Sequence, residues 1–137
     1  MYLLDTSVVS AARRPGRAPR VEQWLRERTD SELFLSVVTL GEVERGIEMQ
    51  REKDPGFATA LRGWITETES MFADRIVPFG AAEARVWGRL SARLGHTGAD
   101  LLIAATAEVH RLVVATLNPR HFTPTGVQVV VPGQTAC

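Results

Sequence analysis

Five short apolar runs recur along this chain, each separated from the next by helix-length segments, and that alternation constrains the fold more than any other feature. The runs are residues 2–4, 33–38, 75–79, 112–116 and 127–131. Each is too short for a stable helix and is apolar at nearly successive positions, as in strands of a parallel sheet buried on both faces. Between them, periodicity predicts helices over 8–12, 21–28, 41 to about 51, 81–94 and 98–110, with 13–20 as a loop. A longer helix carries Phe57, Leu61, Trp64, Ile65, Thr68 and Phe72 at intervals of three and four, a stripe for core packing. The order predicts a three-layer α/β/α fold with a mainly parallel central sheet of four or five strands. At 137 residues it reads as one domain, 1–137.

Charge and cysteine content exclude several classes. Sixteen basic and sixteen acidic residues cancel, so no whole-molecule field draws the chain to nucleic acid or to a membrane, although a local patch still can. The single cysteine, Cys137, excludes a disulfide scaffold and a cysteine-rich zinc site. No apolar run approaches the roughly 20 residues of a membrane span. The start, Met1-Tyr2-Leu3-Leu4-Asp5, is not built like a secretory signal, and the expectation is a cytoplasmic protein without a membrane partner. His96, His110 and His121 match no zinc spacing, and His121 is read as structural or superficial.

Few acidic residues stand against apolar sequence. Asp5 ends the first strand, Glu42 is placed in the first turn of the helix after the second, and Asp100 opens the apolar helix. Taken singly, each fits helix capping: Asp5 as an N-cap, Thr39-Leu40-Gly41-Glu42 as a capping box, and Thr97-Gly98-Ala99-Asp100 as its aspartate analogue. Topology points further. In a parallel sheet the strand-to-helix junctions open on one edge, where ligands bind. Asp5, Glu42 and Asn118 belong there, and Asp100 joins them through its helix start. Three carboxylates within roughly 5 Å repel by about 3 kcal/mol per pair at an effective dielectric near 20. Such a cluster takes up a proton or binds a cation, and an all-oxygen site selects Mg²⁺ or Mn²⁺.

Three motifs, Leu3-Leu4-Asp5-Thr6-Ser7-Val8, Leu35-Ser36-Val37-Val38-Thr39-Leu40-Gly41-Glu42 and Asp100-Leu101-Leu102-Ile103-Ala104-Ala105-Thr106-Ala107, resemble the signatures of PIN-domain nucleases. Ala115-Thr116-Leu117-Asn118-Pro119-Arg120-His121-Phe122 and Pro124-Thr125-Gly126-Val127 look like the closing block of that family. The four blocks occur in order over nearly the whole chain. They are most similar to the VapC/FitB branch, ribonuclease toxins of bacterial toxin–antitoxin pairs.

The resemblance implies an endoribonuclease that depends on Mg²⁺ or Mn²⁺ and cuts RNA to leave a 5′-phosphate. It also implies inhibition by a cognate antitoxin and assembly as a homodimer. By motif, Asp5, Glu42 and Asp100 form the acidic centre, with Asp5 and Asp100 as the main metal-holding residues. Glu42 would hold the metal through water or position the attacking water. Thr6, Ser7 and Thr116 are the supporting polar residues; at position 7 the family more often has asparagine. Asn118 occupies the fourth acidic position in its uncharged form, which favours one ion over two. Arg13, Arg14, Arg17 and Arg20 are candidates for the RNA backbone. Apolar surface around Trp24, or along the helix from Phe57 to Phe72, is the candidate partner face. Two other classes are weighed. A receiver-type signalling module needs a lysine at a late strand end, and the only lysine is Lys53, beside a loop. A catalytically silent binding module would leave the acids as helix caps.

Overall fold

The computed structural model describes residues 1–134, and Cys137 lies outside them. Strands β1 (Tyr2–Leu4), β2 (Leu33–Ser36), β3 (Ile76–Val77), β4 (Val113–Ala115) and β5 (Val129–Val130) form one sheet. Its order is β3-β2-β1-β4-β5, with every neighbouring pair parallel. The connecting helices are α1 (Thr6–Ala11), α2 (Pro19–Arg26), α3 (Val37–Gln50), α4 (Pro55–Met71), α5 (Ala81–Leu94) and α6 (Ala99–His110). Three short 3₁₀ turns, Asp30–Glu32, Pro119–His121 and Thr123–Thr125, complete the described chain.

The first strand is central because its two adjacent leucines serve opposite faces. Leu3 pairs in register with Phe34 and Val114, and all three join the core under α5 and α6. Leu4 turns to the other face, where Leu33, Leu35 and Ala115 meet Val8, Val9, Val21 and Trp24. Each fully buried aliphatic side chain of this kind contributes about 1.5–3 kcal/mol. Helix α6 is buried at Leu101, Ile103, Ala104, Ala105, Thr106 and Ala107, as its all-round apolar sequence predicts. Helix α4 is clamped at its start by Pro55 and by the Asp54 side chain, which accepts the Phe57 N–H. Its stripe divides: Ala58 and Ile65 pack on Val43 and Ile47 of α3, while Trp64 and Phe72 lean on the core around α1 and α2.

Two expectations change. The sequence predicts strand through Val38 and a capping box opening at Thr39, but α3 begins at Val37, because Ser36 Oγ accepts the Val38 N–H and caps the helix earlier. Local capping overrides the β preference of Val37-Val38-Thr39. Glu42 therefore stands in the second turn, and Thr39 lies inside the helix rather than at its cap. Trp24 offers no apolar surface: it is 8% exposed, sits edge-on to Tyr2 at 5.0 Å and is covered by the Arg28 guanidinium at 4.3 Å. Among the described residues, no helix is long and apolar enough to cross a membrane.

Candidate active site

Strands β1 and β4 end side by side, and their next residues, Asp5 and Thr116, meet. The ladder continues through Asp5 N–H to the Ala115 carbonyl at 2.8 Å, which fixes where Asp5 leaves the sheet. Asp5 occupies the N-cap position of α1, yet its side chain makes no capping bond. Its Oδ2 instead accepts the hydroxyls of Ser7 at 2.7 Å and Thr116 at 2.8 Å. Both hydroxyls are themselves held, since Ser7 Oγ accepts the Leu117 N–H and Thr116 Oγ1 accepts the Asn118 N–H. A buried carboxylate, 8% exposed, is thereby fixed through one oxygen. Among the described residues its Oδ1 accepts no hydrogen bond, which leaves that oxygen for a ligand.

Glu42 reaches the same region from α3. Thr6 Oγ1 lies 2.7 Å from Glu42 Oε1 and 3.0 Å from Thr39 Oγ1. A hydroxyl has one proton to give, and the carboxylate, which only accepts, is the stronger claimant. Burial pushes the Glu42 carboxyl above the ordinary carboxylate value; the Thr6 hydrogen bond opposes this, and the negative charges of Asp5 and Asp100 add to the rise. Asp100 sits in the first turn of α6 behind Gly98, again with no capping bond from a side chain. A Cβ at Gly98 would stand 2.7 Å from Asp100 Oδ1, so the glycine gives that carboxylate room to turn. The capping reading of all three acids fails for this reason: their oxygens face a shared hollow.

That hollow has a volume of about 410 Å³ and is lined by Asp5, Thr6, Ser7, Glu42, Asp100 and Asn118, with Ser10 and His121 on its wall. The residues come from α1, α3, α6 and the segment after β4. Thr39 is the one that sequence reasoning misplaced, while His121, read as structural or superficial, is exposed. Thr39 is fully buried behind Thr6. His121 stands three residues past Asn118 in a proline-initiated 3₁₀ turn. The other two histidines are engaged elsewhere: His110 Nε2 is 3.4 Å from Glu83, and His96 Nδ1 accepts the Gly98 N–H.

The expected tight cage of three carboxylates is not present. Among the described residues, no three His, Cys, Asp or Glu side chains are gathered closely enough to hold an ion by themselves. The oxygen-only donor set nevertheless fits Mg²⁺ or Mn²⁺, because such ions keep several waters and need only one or two carboxylates plus substrate phosphate. The four candidate arginines divide. Arg13 lies over the rings of Phe57 at 5.2 Å and Trp64 at 6.0 Å. Arg20 lines a separate hollow with Trp24 and Gly133. Only Arg13, Arg14 and Arg17 border a recess next to the acidic one.

Comparison with known proteins agrees with this geometry. The toxin FitB of Neisseria gonorrhoeae is 32% identical over 96% of this chain and 98% of its own length. Ribonuclease VapC14 of Mycobacterium tuberculosis is 42% identical over 48% of this chain, a match that spans 64% of VapC14. The crystal structure of FitAcB from Neisseria gonorrhoeae superposes with a TM-score of 0.82 at 31% identity, covering 98% of this chain and all of that one. The sequence profile of the PIN domain matches residues 2–125, and the chain belongs to the PIN domain family.

Proposed function

We propose that this protein is the ribonuclease toxin of a toxin–antitoxin pair, hydrolysing RNA phosphodiester bonds with Mg²⁺ or Mn²⁺ at Asp5, Glu42, Asp100 and Asn118. The observation that carries the reading is that these four side chains, from distant parts of the chain, line one hollow at the carboxyl edge of a parallel sheet. The likeness to FitB and VapC14 supports it.

Asp5 and Asp100 are the residues that would hold the cation, with the Asn118 carbonyl as a neutral supplement. A divalent ion held there would supply Lewis acidity to the phosphate and make a water easier to deprotonate. Ser7 and Thr116 keep Asp5 in one orientation. Glu42, held at Oε1 by Thr6, would accept the proton of the attacking water at Oε2. In-line attack at phosphorus would break the bond to the 3′ oxygen, which takes a proton from solvent and leaves as a 3′-hydroxyl opposite the new 5′-phosphate.

The antitoxin has an apolar groove to occupy, about 450 Å³ in volume, between α2 and α4, with Leu25, Trp64, Met71 and Phe72 on its walls. Met71 is 69% exposed there, which leaves apolar area for a partner or a second copy. The test is cleavage of total cellular RNA in Mn²⁺ by the wild type, Asp5→Asn and Asp100→Asn, with circular dichroism as a check on folding. Folded variants that do not cut are expected; full cleavage by both rejects the site. The neutral Asn118 favours the silent binding module as a second reading, and calorimetry showing no Mn²⁺ uptake would select it.

A further inference from the structure

Arg14-Pro15-Gly16-Arg17 is a tight turn whose two ends are both arginines. The Arg17 N–H donates to the Arg14 carbonyl at 3.2 Å, and Gly16 sits at φ +83. Proline at the second position and a positive-φ glycine at the third are the marks of a type II turn, which brings its first and last residues within about 7 Å. The turn is also pinned from outside: the Gly16 N–H donates to both carboxylate oxygens of Glu22 on α2, at 3.0 and 3.3 Å. Glu22 keeps its charge, and its carboxylate sits on the backbone between the arginines. Among the described residues, neither arginine joins an ion pair. Both arginines are exposed, and the turn sets their Cα atoms close together.

Their position gives this arrangement a use. Arg14 and Arg17 border a recess that also takes in Ser10, and Ser10 is on the wall of the acidic hollow as well. The two recesses share that residue. A phosphodiester strand lying across the acidic hollow must carry its neighbouring phosphate somewhere nearby, and a second negative group is repelled by the carboxylates. Planar guanidinium groups suit a phosphate by charge and by their paired N–H donors.

We propose that Arg14 and Arg17 form a phosphate subsite for the RNA strand, placed across Ser10 from the acidic hollow and holding the phosphate next to the one being cut. Arg13, stacked on α4, and Arg20, in its separate hollow, do not belong to it. The subsite rests on the nuclease reading above, but it is tested through binding, which does not require cleavage.

The probe is a short fluorescein-labelled single-stranded RNA of mixed sequence. Its anisotropy is followed in EDTA over a KCl series for the wild type, the Arg14→Gln/Arg17→Gln pair, the Arg14→Lys/Arg17→Lys pair and Arg20→Gln. The slope of log affinity against log salt becomes shallower by about 0.7 for each phosphate-bound arginine neutralised, so about 1.4 for the glutamine pair. The lysine pair, which keeps the charge, and Arg20→Gln retain the wild-type slope. In parallel Mn²⁺ assays, the glutamine pair raises KM and leaves kcat. An unchanged slope in the glutamine pair overturns the subsite, as does a wild type that binds no RNA at the lowest salt. A wild type that cuts RNA, paired with an unchanged slope, removes the subsite alone. A shallower slope in the glutamine pair, with no cutting by the wild type, keeps the subsite and removes the nuclease.

Discussion

Thr116 shows how much one hydroxyl can decide. It is fully buried, donates to Asp5 Oδ2 and accepts the Asn118 N–H, so it ties a proposed metal-holding carboxylate to the backbone of the fourth site residue. Thr116→Val keeps the shape and removes both bonds. Loss of such an orienting partner typically costs 10–100-fold in metal affinity, and titration calorimetry with Mn²⁺ should read a loss in that range. Glu42 gives the opposite kind of prediction. Its carboxyl sits above the ordinary value in the folded protein, so ionising it works against folding. That penalty is absent below the ordinary carboxylate value and complete above the native one. Glu42→Gln should therefore raise Tm at neutral pH without divalent ions, make no difference in acid, and abolish cleavage. A lower Tm at neutral pH would show that the Thr6 bond outweighs burial.

At the scale of elements, α5 carries a pH-dependent anchor. The Gly80 N–H donates to Glu83 at 2.8 Å, and this bond holds the Glu83 carboxyl below the ordinary value against the opposing effect of burial, helped by its own backbone N–H and by His110 of α6. A lowered native pKa stabilises above the ordinary value and ceases to as pH falls through the native one. Glu83→Gln should lower Tm at pH 7, and its gap from the wild type should close in acid melts. Ser36 is a second anchor. Replacing this N-cap of α3 by alanine should cost about 1 kcal/mol in urea unfolding. The same residue explains what the sequence concealed. The five strands, the order of the helices and the convergence of Asp5, Asp100 and Asn118 were legible from apolar runs and junctions. The start of α3 was not, because Val37, Val38 and Thr39 favour a strand while a serine hydroxyl decides the boundary. The division among the arginines was hidden for a similar reason, since aromatic rings more than 40 residues away from Arg13 draw it aside.

For the molecule as a whole, zero net charge conceals opposite local fields. An acidic hollow and an arginine turn meet at Ser10, so the proposed cation and strand binding would be set by neighbouring patches rather than by the total. Binding of Mn²⁺ to the folded state alone should stabilise it by about 2.7 kcal/mol at a concentration 100 times Kd. Thermal melts should show that increment in the wild type and lose it in Asp100→Asn; an equal rise in both would place the ion elsewhere. Asp5 and Thr116, one of the two residues whose hydroxyls fix its Oδ2, lie 111 positions apart. A chain whose fourth strand has not yet paired with the first therefore holds its first aspartate through Ser7 alone, and its pocket is unfinished. On the proposed chemistry, a chain whose central pair of strands has not closed cannot cut, so cleavage competence arrives with the last long-range step of folding rather than with the acidic residues themselves.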